Sequence, residues 1–266
     1  MRLTLAPLGS YDIGAMLAAI IAFGSYRLGA LDPSGAFVAF LIGTLTFGAL
    51  QTIGVATLLA FFVSSVALSR LGKKTKRERL IDIGKTSERD AAQVIANGGV
   101  AALCALGVAL GWGARYEVAF AGALCAATAD TWGTELGTLF GGQPRSILNY
   151  RPVGIGISGG VTLAGTLAEV GGAMFLATVA YVFGLHALLA VLAGGLGGAL
   201  LDSILGASAQ ALRWCPQCAR PCERNPHSCG ATTTVLRGFG WLDNDGVNFT
   251  ATLAGAAIAF ALAQGA

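Results

Sequence analysis

Runs of about 20 apolar residues with almost no charge inside them recur along the whole chain, and such runs leave few folds open. They lie near residues 11–30, 33–49, 50–69, 91–112, 118–140, 158–183, 187–208 and 246–264. The weakest division is between the second and third, where only Gln51 and Thr52 interrupt the apolar stretch. In hydrocarbon every backbone N–H and C=O must find its partner within the protein, so only helices and closed barrels span a bilayer. No run alternates apolar and polar residues with a period of two, which excludes an outer-membrane barrel. The expected fold is all-α: a polytopic transmembrane helical bundle of about eight spans with its N-terminus outside. Residues 1–266 are read as a single integral membrane domain, because eight spans leave only short connections and no room for a second folded unit. The first run reads as a retained helix rather than a cleaved leader. Arg2 is the only basic residue before it, Asp12 stands at its entrance, and no small-residue cleavage site follows.

The cationic residues give the orientation, since Lys and Arg are retained on the cytoplasmic side. With the N-terminus outside, the inside connections carry Arg27, then Arg70, Lys73, Lys74, Lys76, Arg77, Arg79, Lys85 and Arg89. They continue with Arg145 and Arg151, then Arg213, Arg220, Arg224 and Arg237. Of the 17 basic residues only Arg2 and Arg115 remain outside. Two cytoplasmic segments stand out, a basic loop over 70–90 and a Cys-containing loop over 212–240. The first reads mainly as a topology signal and headgroup anchor. The net charge of +3 is small and spread over these loops, so nucleic acid is not among the expected partners. The expected location is the cell inner (plasma) membrane, with the functional site on its cytoplasmic side.

Chemistry is signalled by acids placed where lipid should be. Of 14 carboxylates, Asp130, Glu135, Glu169 and Asp202 fall within or at the ends of apolar runs, and Asp243 and Asp245 stand at the mouth of the last one. An ionised carboxylate at membrane depth must meet a cation, a donor or water, so function is the default reading for Asp130 and Asp202. Glu169 reads instead as a helix-packing acid. On a helix Asp130 shares a face with Thr134, whereas Glu135 points about 140° away. Beside these acids, the stretch 152–162 is rich in glycine and flanked by Arg145 and Arg151. Gly154, Ser158, Gly159 and Gly160 could present backbone N–H groups to a phosphate, with a helix beginning at Ser158 adding its positive end. Acids for a divalent cation, arginines for phosphate and a glycine-rich cradle are together the parts of a phosphoryl-transfer site.

Cys104 and Cys125 lie within apolar runs and read as small packing residues. The other four, Cys215, Cys218, Cys222 and Cys229, share one loop that the topology assigns to a reducing compartment, where metal binding outweighs disulfide formation. Cys215-Pro-Gln-Cys218 is a zinc half-site. Cys222 with Cys229, or with His227, would complete a tetrahedral set for structural Zn²⁺.

An ordered series of motifs makes the sequence recognisable. It comprises Arg89 with Gln93 and Ala96-Asn97-Gly98, then Ala127-Thr128-Ala129-Asp130-Thr131-Trp132-Gly133-Thr134-Glu135-Leu136-Gly137. Pro144-Arg145, Pro152-Val153-Gly154, Ser158-Gly159-Gly160-Val161 and Leu201-Asp202-Ser203-Ile204-Leu205-Gly206-Ala207 follow, ending with Trp241-Leu242-Asp243-Asn244-Asp245. From roughly Ala60 onward the chain resembles the integral-membrane family of chloroplast phytyl-phosphate kinase and vertebrate transmembrane protein 19. The resemblance implies a CTP-dependent phosphotransferase acting on an isoprenyl monophosphate such as phytyl phosphate. Asp130 and Asp202 would be catalytic and hold Mg²⁺ together with Asp243 or Asp245. Arg89, Asn97, Arg145 and Arg151 would bind phosphate with the 154–160 backbone. The implied partners are a nucleoside triphosphate, the isoprenyl lipid phosphate and membrane lipids. Two alternatives stay open on the residues alone, a kinase of the free prenol and a transporter or flippase that uses the buried acids. Ala129-Asp130-Thr131 and Leu201-Asp202-Ser203 share a small-acid-hydroxyl pattern, which suits a duplicated metal half-site or a transport repeat.

Overall fold

The computed structural model describes residues 8–80 and 88–263, and the side chains of all but the first two of these. Arg2, Lys85 and positions 81–87 of the basic loop lie outside the described residues. Within them the chain is a helical bundle: α1 (Leu8–Arg27), α2 (Pro33–Arg70), α3 (Lys73–Arg79), α4 (Ala91–Ala109), α5 (Arg115–Phe140), α6 (Leu163–Val182), α7 (Leu188–Ser208) and α8 (Asn244–Leu262). Five of these, α2, α4, α6, α7 and α8, are long and apolar enough on their own to cross a membrane. The other long helices, α1 and α5, pack among them, and α5 carries Arg115, Glu117, Asp130 and Glu135 along its length.

The ambiguous junction at Gln51 and Thr52 proves to be a reversal. The 38-residue α2 is two helical arms joined at Gln51, whose φ of 48° and ψ of −126° are non-helical. The chain doubles back there: a Cβ built on Gly54 would lie 2.6 Å from the carbonyl oxygen of Thr46, eight residues earlier. On a straight helix those positions are about 12 Å apart. At the far end, the Arg70 guanidinium donates to the Leu28 carbonyl at 2.7 Å, so the second arm returns to the level at which the first began. With α2 counted as two arms, the bundle has eight transverse segments.

Caps and turns fix where the segments end. Asp32, Asp90 and Asp243 cap α2, α4 and α8 through their carboxylates, and Asp90 forms a capping box with Gln93. The helix expected to begin at Ser158 begins five residues later. Gly160–Val161 (β2) pairs antiparallel with Arg145–Ser146 (β1), and Thr162 then caps α6 through Gly165. Two segments expected as loops also carry structure. The short helix α3 occupies the basic loop, and the Cys-containing loop folds into a three-stranded antiparallel sheet ordered β4–β3–β5, from Arg220–Cys222, Leu212–Cys215 and Thr234–Arg237.

The core is built from small residues. Val118–Ala129 of α5 is almost wholly buried, with α6, α7 and α8 against it and α4 alongside. Without a hydrophobic force between helices in lipid, close approach and van der Waals contact must hold them together, which explains the many Gly and Ala contacts. A Cβ on Gly198 would sit 2.5 Å from Ala126 Cβ, and one on Gly194 would sit 3.4 Å from Gly122 Cα. Helices α5 and α7 therefore run parallel in a register offset by 72 residues, the separation of Asp130 and Asp202.

Candidate acid site at one membrane face

The connections assigned to one side by their charge do collect on one face. Arg70 bonds Leu28, and Arg79 donates to the carbonyls of Thr138 and Leu139 at the end of α5. Ser158 of the α5–α6 connection bonds Glu223 of the Cys-containing sheet. The opposite face holds the Gln51 reversal, the turn before Arg115 and the α6–α7 turn. There Ile53 lies against Gly184, and the Tyr116 ring packs edge-on against Phe260 near the end of α8.

On the basic face, three helices deliver acids to one region. The register places Asp130 of α5 beside Asp202 of α7. Antiparallel packing of α6 on α5 sets Glu169 against Gly133, so closely that a Cβ on Gly133 would lie 2.4 Å from Glu169 Cγ. Asp130, Glu169 and Glu223 all act electrostatically on Asp202. Asp202 Oδ2 is buried and makes no hydrogen bond. A buried carboxylate oxygen with other acids nearby is the chemistry a divalent cation would satisfy, so Asp130 and Asp202 are suited to hold one as a pair, while Glu169 does not join them in a three-carboxylate cluster. Asp243 has another engagement: its carboxylate accepts from the Gly246 N–H at 3.0 Å as the cap of α8.

Glu223 had no counterpart in the sequence reading. It accepts from the Ser158 N–H at 2.7 Å, the Ser158 hydroxyl at 2.9 Å and the Gln210 amide at 2.9 Å. Of the donors expected for a phosphate, Ser158 is thus engaged by a carboxylate, itself an anion of similar hydrogen-bonding demand. Burial pushes the Glu223 carboxyl above its ordinary value, against the bonds from Ser158 and Gln210 and the field of Arg237. Its signal in the sequence was weak, because a glutamate in a polar, Cys-rich loop is unremarkable. The rest of the glycine-rich stretch is tightly folded. Ile157 N–H bonds the Gly154 carbonyl, Gly160 N–H bonds that of Ile157, and Gly159, at φ 77°, lies against the backbone of Ala207. Arg145 and Arg151 are exposed on this loop, and the Arg145 guanidinium donates to the Tyr150 carbonyl.

Glu135 points elsewhere, as the helical angle required. It pairs with the buried Lys76 of α3 and accepts from the Ser69 hydroxyl. It also acts on Arg89, whose guanidinium is held below its ordinary value by burial and raised by Glu135. Ser25, Arg89, Gln93 and Asn97 form the polar part of a small cavity of about 70 Å³ between α1, α2 and α4, whose other walls include Leu31, Ile42, Phe47 and Phe61. A cavity of that size is well below the roughly 300–1,000 Å³ of a ligand pocket, so it is not by itself a lipid site.

In the Cys-containing sheet, the structure assembles a different set from the four cysteines. Cys215, Cys218, His227 and Cys229 bring their ligand atoms within 4.8 Å of one another, the only such cluster of three or more acid, Cys or His ligands among the described residues. Cys222 lies apart, its thiol facing the Arg224 carbonyl at 3.8 Å.

Comparison with known proteins supports the motif reading. The family model described as integral membrane protein DUF92 matches residues 16–256. Protein PGR of Arabidopsis thaliana is 33% identical, covering 90% of this chain and 91% of its own length. An uncharacterized membrane protein of Synechocystis is 27% identical over 96% of this chain and 90% of its own. Protein VTE6, chloroplastic, of Arabidopsis thaliana is 28% identical over 88% of this chain and 66% of its own. No solved structure matches at a significant level.

Proposed function

Because the chain belongs to the DUF92 family of integral membrane proteins, we propose that it is a lipid kinase that carries the phosphoryl chemistry its motifs resemble. It would transfer a phosphoryl group from a nucleoside triphosphate, CTP in the family it resembles, to an isoprenyl monophosphate. The observation that carries this reading is that three helices bring Asp130, Glu169 and Asp202 into one region, where Asp202 Oδ2 is buried and has no hydrogen-bond partner. Mg²⁺ held there by Asp130 and Asp202 would neutralise charge on the nucleotide phosphates.

The chain's own residues supply the rest. Arg145 and Arg151, exposed on the adjoining loop, neutralise phosphate at the mouth of the site. Arg89, Gln93 and Asn97, on the polar side of the small cavity between α1, α2 and α4, would meet the headgroup, and the apolar helix faces beside them would meet the lipid chain. A prenyl phosphate acceptor is already ionised and needs charge neutralisation more than a base, which suits a site rich in acids for a cation and arginines for phosphate. We place the site on the cytoplasmic side of the plasma membrane, from the charge bias of its connections.

The test is transfer of radiolabelled phosphate from CTP, ATP or UTP to a panel of prenols and prenyl phosphates by the purified protein. The expected result is Mg²⁺-dependent product from a prenyl monophosphate. Product from the free alcohol alone would move the assignment to a prenol kinase. No transfer, together with solute flux that depends on Asp130, would replace the kinase with a transporter.

A further inference from the structure

The thiols and imidazole of the Cys-containing sheet are arranged as a metal centre, and the sheet they would brace holds Glu223 against the acid site. We propose that Cys215, Cys218, His227 and Cys229 bind one Zn²⁺, and that this metal clamps the Glu223 carboxylate onto Ser158 and Gln210. The proposal does not depend on the phosphoryl-transfer reading.

The ligand atoms have the spacing of a tetrahedral zinc set. Zn–S bonds of about 2.3 Å and Zn–N bonds of about 2.0–2.1 Å give edges of about 3.8 Å between sulfurs and about 3.6 Å between sulfur and nitrogen. The structure has Cys215 Sγ to Cys229 Sγ at 3.6 Å, Cys218 Sγ to His227 Nδ1 at 3.6 Å and His227 Nδ1 to Cys229 Sγ at 3.2 Å. These separations are far too long for a disulfide and all four thiols of the sheet are free. Each half of the set sits on a tight turn. The Cys218 N–H donates to Cys215 Sγ at 3.4 Å on the turn between β3 and β4, and Gly230, at φ 85°, bonds back to the His227 carbonyl on the second turn.

A bound metal would also stabilise this unit. Strands of four, three and four residues enclose too little apolar surface to fold alone, and structural zinc supplies folding free energy directly in such units. The strand β4 ends at Cys222, and the next residue is Glu223. Fixing the turns on either side of this strand fixes the position of the carboxylate. Through its three hydrogen bonds, Glu223 then ties the 154–160 loop to the end of α7.

Elemental analysis of the purified full-length protein, with hydrogen exchange measured on the same samples, tests both halves. One equivalent of zinc is expected in the parent and in Cys222→Ser, and loss of zinc in Cys215→Ser and His227→Ala. A zinc-free parent, or loss in Cys222→Ser with retention in His227→Ala, overturns the ligand set. In the zinc-loaded protein the amide of Ser158 should exchange slowly, and should become fast both after chelation of the parent and in Glu223→Ala. Where a cysteine variant cannot be purified, the chelated parent makes the same comparison. Protection that survives chelation overturns the clamp.

Discussion

A carboxylate at membrane depth has to be answered by something, and two residues here show two different answers. Glu135 is answered by Lys76 and Ser69. Replacing Lys76 by Met would leave a partly buried charge without its cation. The cost falls at the lower end of the roughly 3–5 kcal/mol for breaking a buried pair, since Glu135 keeps some exposure. Thermal unfolding in detergent should show a lower midpoint for Lys76→Met and recovery when Glu135→Gln is added. Asp202 is answered by no protein donor at Oδ2. Asp130→Asn and Asp202→Asn should leave the fold intact yet reduce Mg²⁺-dependent transfer on the order of 10³-fold, the scale of a lost metal ligand. Normal transfer by both variants would remove the site from consideration. Glu223 adds a pH dependence. Its raised folded-state value means that its contribution to stability is full at acid pH, below its unfolded value. That contribution is lost as pH rises through the folded value. The unfolding midpoint of the parent should therefore fall over that window more steeply than that of Glu223→Gln. Asp130 and Asp202 were legible in the sequence because charge in an apolar run is conspicuous. Glu223 was not, because Ser158 reaches it from a loop 65 residues away and Gln210 from 13 residues before it.

At the scale of elements, apolar runs and capping residues carried most of the information. Six of the seven long helices match the runs to within a few residues at each end, α2 taking two runs, and Asp32, Asp90 and Asp243 mark three of the starts. The start of α6 was misplaced because its local signals, glycine and serine, also suit a turn. What decided it was the pairing of Gly160 and Val161 with a segment 15 residues earlier, a contact that periodicity does not encode. The small sheet was hidden for the same reason, its strands being shorter than any pattern of alternation can register. The reversal within α2 rests on one residue. Gln51 at φ 48° sits in a region that glycine enters freely and β-branched side chains resist. Gln51→Gly should preserve stability or raise it slightly, whereas Gln51→Val should lower it by about 1–2 kcal/mol, read from unfolding midpoints.

Across the whole molecule, the basic connections and the acid site share one face while Arg115 sits on the other. Engineered cysteines at positions 75 and 148 should be shielded from an impermeant thiol reagent added to intact cells, and one at 115 should react. Labelling at 75 would invert the orientation and put the site on the other side of the membrane. The doubling back at Gln51 reaches further than its own hairpin. Were those 38 residues one continuous rod, every later helix would cross in the opposite sense, and the amino end of α1 and the carboxyl end of α8 would emerge on different sides. Because they fold back, the parity of the bundle is even and both ends open onto the face away from the acids. Fusions and tethers can therefore be attached at either end without crowding the side where nucleotide and headgroup would meet.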